Sequence, residues 1–145
     1  MGNIMLKQVA LVGLILGLTS NAMALDKTKV SLDQVFWGTW SVYNAQSKCT
    51  ETYNFAKPGQ FTYTTKQKNM SGEFAVMRSK AANELDVLAM KVVNDNKLAG
   101  CSGQVNDYTN ADIRLSLKWL SPRSAELCTD LEGKTCTGLF LNKQS

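Results

Sequence analysis

From residue 38 to the end, the chain alternates apolar and polar residues in short runs separated by turn-forming residues. In the stretch Gly38-Thr39-Trp40-Ser41-Val42-Tyr43, Trp40 and Val42 fall on one side of an extended backbone and Thr39, Ser41 and Tyr43 on the other. That period of two is the signature of a half-buried strand. Gly38 gives the backbone room to turn where the strand begins. The same rhythm recurs downstream. Residues 49–55 set Cys49, Glu51, Tyr53 and Phe55 against Thr50, Thr52 and Asn54, and residues 60–68 set Phe61, Tyr63 and Thr65 against Thr62 and Thr64. A fourth strand is expected over 72–78, with Phe74 and Val76 on one side. A fifth, over 85–94, is apolar on both faces and reads as the most buried. The sixth is the clearest: Ile113, Leu115, Leu117 and Trp119 alternate strictly with Arg114, Ser116 and Lys118. Strands over 124–129 and 135–143 complete the series.

The connections carry their own chemistry. Lys57-Pro58-Gly59-Gln60 is a turn in which proline presets φ and glycine supplies a positive φ. Asn69-Met70-Ser71 and Ser121-Pro122-Arg123 read as further turns, and Asp130 to Lys134 closes a hairpin centred near Glu132-Gly133. Ahead of the first strand, Ser31-Leu32-Asp33-Gln34 has the pattern of a capping box on one helical turn, with Ser31 as N-cap and Gln34 three residues later. One excursion is long: residues 95–110, rich in Gly, Asn and Asp and containing Cys101. Such a loop in a small domain is functional or pinned down. Evenly spaced short strands with short connections predict an all-β fold, an eight-stranded antiparallel up-and-down barrel.

The first 24 residues follow a different pattern. Lys7 precedes an apolar run from Val9 to Leu18, and Ala22-Met23-Ala24 ends it, the layout of a cleavable secretory signal. The run is short for a membrane span, which needs about 20 apolar residues. Residues 25–145 are then expected to form one exported domain, periplasmic or secreted and monomeric. The net charge of +4 is mild, and Lys and Arg are interleaved with acids, so no nucleic-acid footprint is indicated.

The four cysteines, Cys49, Cys101, Cys128 and Cys136, all lie beyond residue 24. An even count in an exported chain points to two disulfides. Zinc is disfavoured: the chain has no histidine and no C-x-x-C, and the spacings of 52, 27 and 8 fit no common zinc module. Of the three pairings that four cysteines allow, Cys128 with Cys136 across the last hairpin is preferred, which leaves Cys49 with Cys101.

The lack of histidine also removes Ser–His and Cys–His nucleophile arrangements, so no enzyme is expected and no cofactor is implied. Paired carboxylates remain open, for example Glu51 with Glu73 on adjacent strands, and ordinary surface charge is the better account of them. Candidate ligand-binding residues are those of the inward faces: Trp40, Phe61, Tyr63, Phe74, Ile113, Leu115, Leu117 and Trp119. An eight-stranded barrel is just wide enough to be filled by side chains or to hold one small ligand, and these large residues favour filling. Tyr63, Tyr108 and the loop 95–110 are the candidates for a site at the rim.

Gly38-Thr39-Trp40, entering the first strand after a helical turn, resembles the G-x-W opening of the lipocalins and the wider calycin group. The spacing of Phe55, Pro58-Gly59-Gln60-Phe61 and Ser71-Gly72-Glu73-Phe74 is similar to that of small bacterial lipocalin-like domains. The resemblance implies a closed barrel that binds a small apolar or amphiphilic molecule. It also implies a basic residue from the last strand over Trp40, for which Lys143 and Arg123 are the candidates. The arrangement of Leu32, Gly38, Trp40 and Cys49 is similar to that of bacterial metalloprotease inhibitors, which implies that residues 25–34 would project as an inhibitory arm. Ser71-Gly72 resembles the S-G loop motif of c-type lysozyme inhibitors. These second likenesses imply an extracytoplasmic hydrolase, or another envelope protein, as partner.

Overall fold

A computed structural model describes residues 24–145; residues 1–23, most of the expected signal, lie outside the described residues. The described residues form eight antiparallel strands: β1 (Gly38–Asn44), β2 (Cys49–Ala56), β3 (Gln60–Thr65), β4 (Lys68–Met77), β5 (Asp86–Asp95), β6 (Asp112–Ser121), β7 (Ser124–Cys128) and β8 (Cys136–Lys143). Each pairs with its sequence neighbour, and β8 returns to β1 through Trp40↔Lys143, Ser41↔Asn142 and Val42↔Leu141, closing the barrel. Closure leaves no free sheet edge.

The inward faces are those that the alternation predicts. Trp40, Val42, Phe55, Phe61, Tyr63, Leu88, Met90, Val92, Leu117, Trp119, Leu127 and Leu141 form one buried core, and Phe74, Ile113 and Leu115 are half-buried against it. The outward face of β5 departs from the expectation. It runs from half-buried Val87 and Ala89 to exposed Lys91 and Val93, because a barrel wall of this kind has solvent on its outer side.

Strand ends shift in one place that matters. No turn forms at Asn69-Met70-Ser71; the chain turns at Lys66-Gln67, and β4 begins at Lys68. Ser71-Gly72 therefore sits within a strand and not on a loop. There the β4–β5 register slips, Ser71 facing Asn94 and Gly72 facing Val92, so that Val93 bulges without a partner. Gly72 lets the two backbones approach: a Cβ at this position would lie 1.9 Å from the Lys91 carbonyl oxygen. The turn after β2 passes through a cis Lys57–Pro58 peptide.

One end of the barrel, here the base, is sealed by the segment before β1. A 3₁₀ turn (Lys27–Lys29) is capped by Asp26, whose carboxylate accepts from the Thr28 amide at 3.0 Å. One helical turn, α1 (Leu32–Val35), follows. Ser31 stands at its N-cap but makes no side-chain bond, so the predicted capping box does not form. The backbone closes the turn instead, the Gln34 and Val35 amides donating to the Ser31 carbonyl at 3.1 and 3.0 Å.

Residues 25–34 do not project as an arm. The Leu25 amide donates to the Trp119 carbonyl at 2.7 Å, Val30 is buried, and the Lys27 ammonium donates to the carbonyls of Ser79, Ala81 and Glu84 at 2.7–2.8 Å. Beneath them Arg78 grips the fully buried Asp86 with two bonds of 2.9 and 2.8 Å, and the Trp119 indole donates to the same carboxylate at 2.9 Å. The Trp40 indole donates to the Phe36 carbonyl at 2.8 Å, and the Lys143 ammonium lies 5.8 Å from the centre of its ring. Among the described residues no helix is long and apolar enough to cross a membrane.

Candidate functional site

The other end, the mouth, is ringed by the β1–β2, β3–β4, β5–β6 and β7–β8 connections, and the long β5–β6 connection lies across part of it. Three devices hold this lid. The Cys49–Cys101 disulfide ties it to the start of β2. Lys68, the first residue of β4, points inward and donates to both oxygens of Asp95 at 2.8 and 2.9 Å, and to the carbonyl of Asn106 at 3.0 Å. Asp95 in turn accepts from the backbone amides of Lys97 and Tyr108, both at 2.8 Å. Burial pushes the Asp95 carboxyl up, but its bonds to the Lys68 ammonium and to those two amides outweigh this and hold it below its ordinary value. The Tyr108 ring lies with its centre 5.1 Å from the Lys68 ammonium. Cys128–Cys136 closes the β7–β8 hairpin, so both expected pairings are present.

Beneath the lid is a cavity of about 780 Å³, open on one side. Ligand sites occupy about 300–1,000 Å³, so the volume suits a small molecule. Its walls are Tyr53, Tyr63, Met70, Ile113 and Leu139; the lid contributes Gly100, Cys101, Ser102, Gln104, Asn106 and Tyr108; Asn44, Gln46 and Ser47 form the rim beside β1. One carboxylate, that of Glu51, stands among them. The Tyr63 hydroxyl donates to its Oε1 at 2.5 Å. Burial, then the bond to Glu51 and its charge, push the Tyr63 phenol well above the usual tyrosine range, and burial with the Glu51 charge does the same for Tyr53. Both remain neutral hydroxyls at any physiological pH. The Ser47 hydroxyl oxygen is buried and has no hydrogen-bond partner.

No family model, curated protein or solved structure matches this chain. Its chemistry therefore rests on the residues themselves.

The inward residues picked out by alternation divide between two places. Tyr63 and Ile113 line the cavity. Trp40, Phe61, Leu117 and Trp119 are buried in the core, where the Trp40 and Trp119 rings lie 6.3 Å apart. Phe74 packs among Phe36, Phe55 and Trp37, and Leu115 is half-buried against the core. The interior is thus filled towards the base and open towards the mouth.

Glu51, Tyr53, Lys68, Met70 and Leu139 line the cavity beside the inward-face candidates. The alternation within 49–55 sets Glu51 and Tyr53 on the inward face, whereas Lys68, at the polar end of the run 60–68, faces inward only because the chain turns at Lys66-Gln67 and β4 begins there. Glu51 and Glu73 are not partners: β3 separates their strands, and Glu73 is exposed opposite Gln60 and Lys91. Among the described residues, one cluster has metal-ligating residue types, Glu126 with Cys128 and Cys136. Its two sulfurs are joined in a disulfide and offer no thiolate.

Proposed function

We propose that this protein is an exported, non-catalytic binding protein of the lipocalin-like kind, which takes a small apolar or amphiphilic molecule into the mouth of its barrel. The observation that carries the reading is the cavity of about 780 Å³ between the half-filled interior and the tethered lid. Its mixture of apolar walls with a few convergent polar groups is what small-molecule sites share. The closed meander, the Gly38-Thr39-Trp40 opening and Lys143 over the Trp40 ring support the lipocalin-like reading. Two disulfides fit an oxidising compartment, as the signal-like first residues suggest. With no histidine in the chain and every cysteine in a disulfide, Ser–His and Cys–His pairs and a free thiol nucleophile are lacking. Residues 25–34 are docked on the base, which argues against an inhibitory arm.

Native mass spectrometry of protein exported by a bacterial host, followed by denaturing extraction, tests this reading. A stoichiometric adduct of a few hundred daltons, released on unfolding and reduced in Leu139→Trp, is the expected result. Protein that carries no adduct and takes up none from a panel of small amphiphiles would overturn it.

A further inference from the structure

The charge inside the cavity is one-sided. Glu51 and Lys68 are the two ionisable acid–base side chains of opposite sign in its lining, apart from the tyrosines. Lys68 is fully engaged: its ammonium is bound by both Asp95 oxygens and the Asn106 carbonyl, and its side chain is 4% exposed, so its charge is neutralised where it stands. Glu51 is in none of the ion pairs of the described residues. Tyr63 occupies one of its oxygens, and a carboxylate offers about four acceptor sites over two oxygens. Tyr53 and Tyr63, whose ring faces attract cations, share the lining with Glu51, and the Tyr63 hydroxyl is bonded to it.

Resting on the binding reading above, we infer that the cavity selects an amphiphile with a cationic ammonium head. The head is held by the free side of Glu51 within the tyrosine cluster, and the apolar body lies against Met70, Ile113 and Leu139. A fatty carboxylate would meet Glu51 with like charge, and a neutral alcohol would leave its charge unpaired. The preferred order is therefore cation, then neutral, then anion. The sequence carries the same point: Glu51 alternates with Cys49, Tyr53 and Phe55, so this acid is built into an inward face.

Three probes with one tail test the inference: octylammonium, octanol and octanoate, titrated at pH 7 into the oxidised protein and into Glu51→Gln and Leu139→Trp. Octylammonium is expected to bind roughly tenfold or more tighter than octanol, as a charge-assisted bond allows, with octanoate weakest. Glu51→Gln, whose amide oxygen still accepts from Tyr63, should bring octylammonium to within about threefold of octanol, since the charge-assisted bond is lost. If the three probes bind alike, if octanoate binds tightest, or if the ranking survives Glu51→Gln, this inference is overturned and the binding reading stands. If none binds, or if binding ignores Leu139→Trp, the binding reading itself is overturned. Should Glu51→Gln fail to fold, contacts between the octylammonium head and the Tyr53 and Tyr63 rings, seen by NMR in the unaltered protein, decide the point. A tail-first orientation would overturn it.

Discussion

The ammonium of Lys68 and the carboxylate of Asp95 meet at 2.8 Å where the lid joins the barrel, with the two side chains 4% and 0% exposed. The pair joins the first residue of β4 to the last residue of β5, and it also gathers lid backbone: the carbonyl of Asn106 and the amides of Lys97 and Tyr108. Removing one partner leaves a buried charge without compensation. Lys68→Met is expected to cost about 3–5 kcal/mol of unfolding free energy in denaturant titrations. A loss of about 1 kcal/mol or less would put the pair in the class of exposed ion pairs.

The same pair sets a pH limit on the lid. Asp95 is held below its ordinary carboxyl value of 3.8 in the folded chain, so folding favours its ionised form. Its contribution is complete above about pH 4 and is lost as pH falls through the lower folded value. Asp26, Asp107 and Asp130 are lowered too, each by hydrogen bonds within its own turn, and they add to acid sensitivity in the same direction. Amide exchange at Tyr108 should hold steady relative to its intrinsic rate from about pH 5 to 8, and protection should fall below about pH 4. Loss of protection beginning near pH 6 would contradict the assignment.

Gly72 tests the β4–β5 bulge. The Gly72→Ala methyl would meet the Lys91 carbonyl oxygen at 1.9 Å and the Val93 nitrogen at 2.9 Å, and backbone cannot swing aside as a side chain can. A cost of about 2 kcal/mol or more is expected in thermal or denaturant unfolding. Gly103→Ala is the control: its φ of +76° strains an alanine, but nothing lies within 4 Å, and about 1 kcal/mol is expected. Equal costs would show that the close approach at Gly72 does not constrain the sheet.

The two disulfides should differ in weight. Cys49–Cys101 spans 52 residues and Cys128–Cys136 spans 8. Chain-entropy reasoning gives ~4 kcal/mol for the longer link and ~2.5 kcal/mol for the shorter. Serine replacement of each pair in turn, followed by denaturant unfolding, checks the order. The lid tether alone should also change ligand affinity. A larger loss from the hairpin pair would reverse the expectation.

Architecture was largely legible because period-two patterning is a direct record of which side chains face inward. Trp40, Phe61, Leu117 and Trp119 all announced the interior in this way, and Pro58-Gly59 and Glu132-Gly133 marked turns. Strand limits were less legible where polar residues serve inside. Lys68 looked like the polar end of β3, yet it is buried, and only its contact with Asp95, 27 residues away, accounts for that. The cavity was hidden for a related reason. Alternation shows which residues face inward but not how far along the barrel they lie, so Trp40 at the base and Tyr63 under the lid carry the same signal. Glu51 faced inward in that pattern from the start, and its partner Tyr63 became visible only with the β2–β3 register.

The most direct measurement is a ¹H–¹⁵N titration of the oxidised protein with octylammonium, run beside Leu139→Trp. Saturable shifts are expected to cluster at Glu51, Tyr53, Tyr63, Met70 and Ile113, with quiet amides around Trp119 and Phe36 at the base and a much weakened response in the filled variant. Shifts centred on the base or the outer wall, or an undiminished response in Leu139→Trp, would contradict the binding reading.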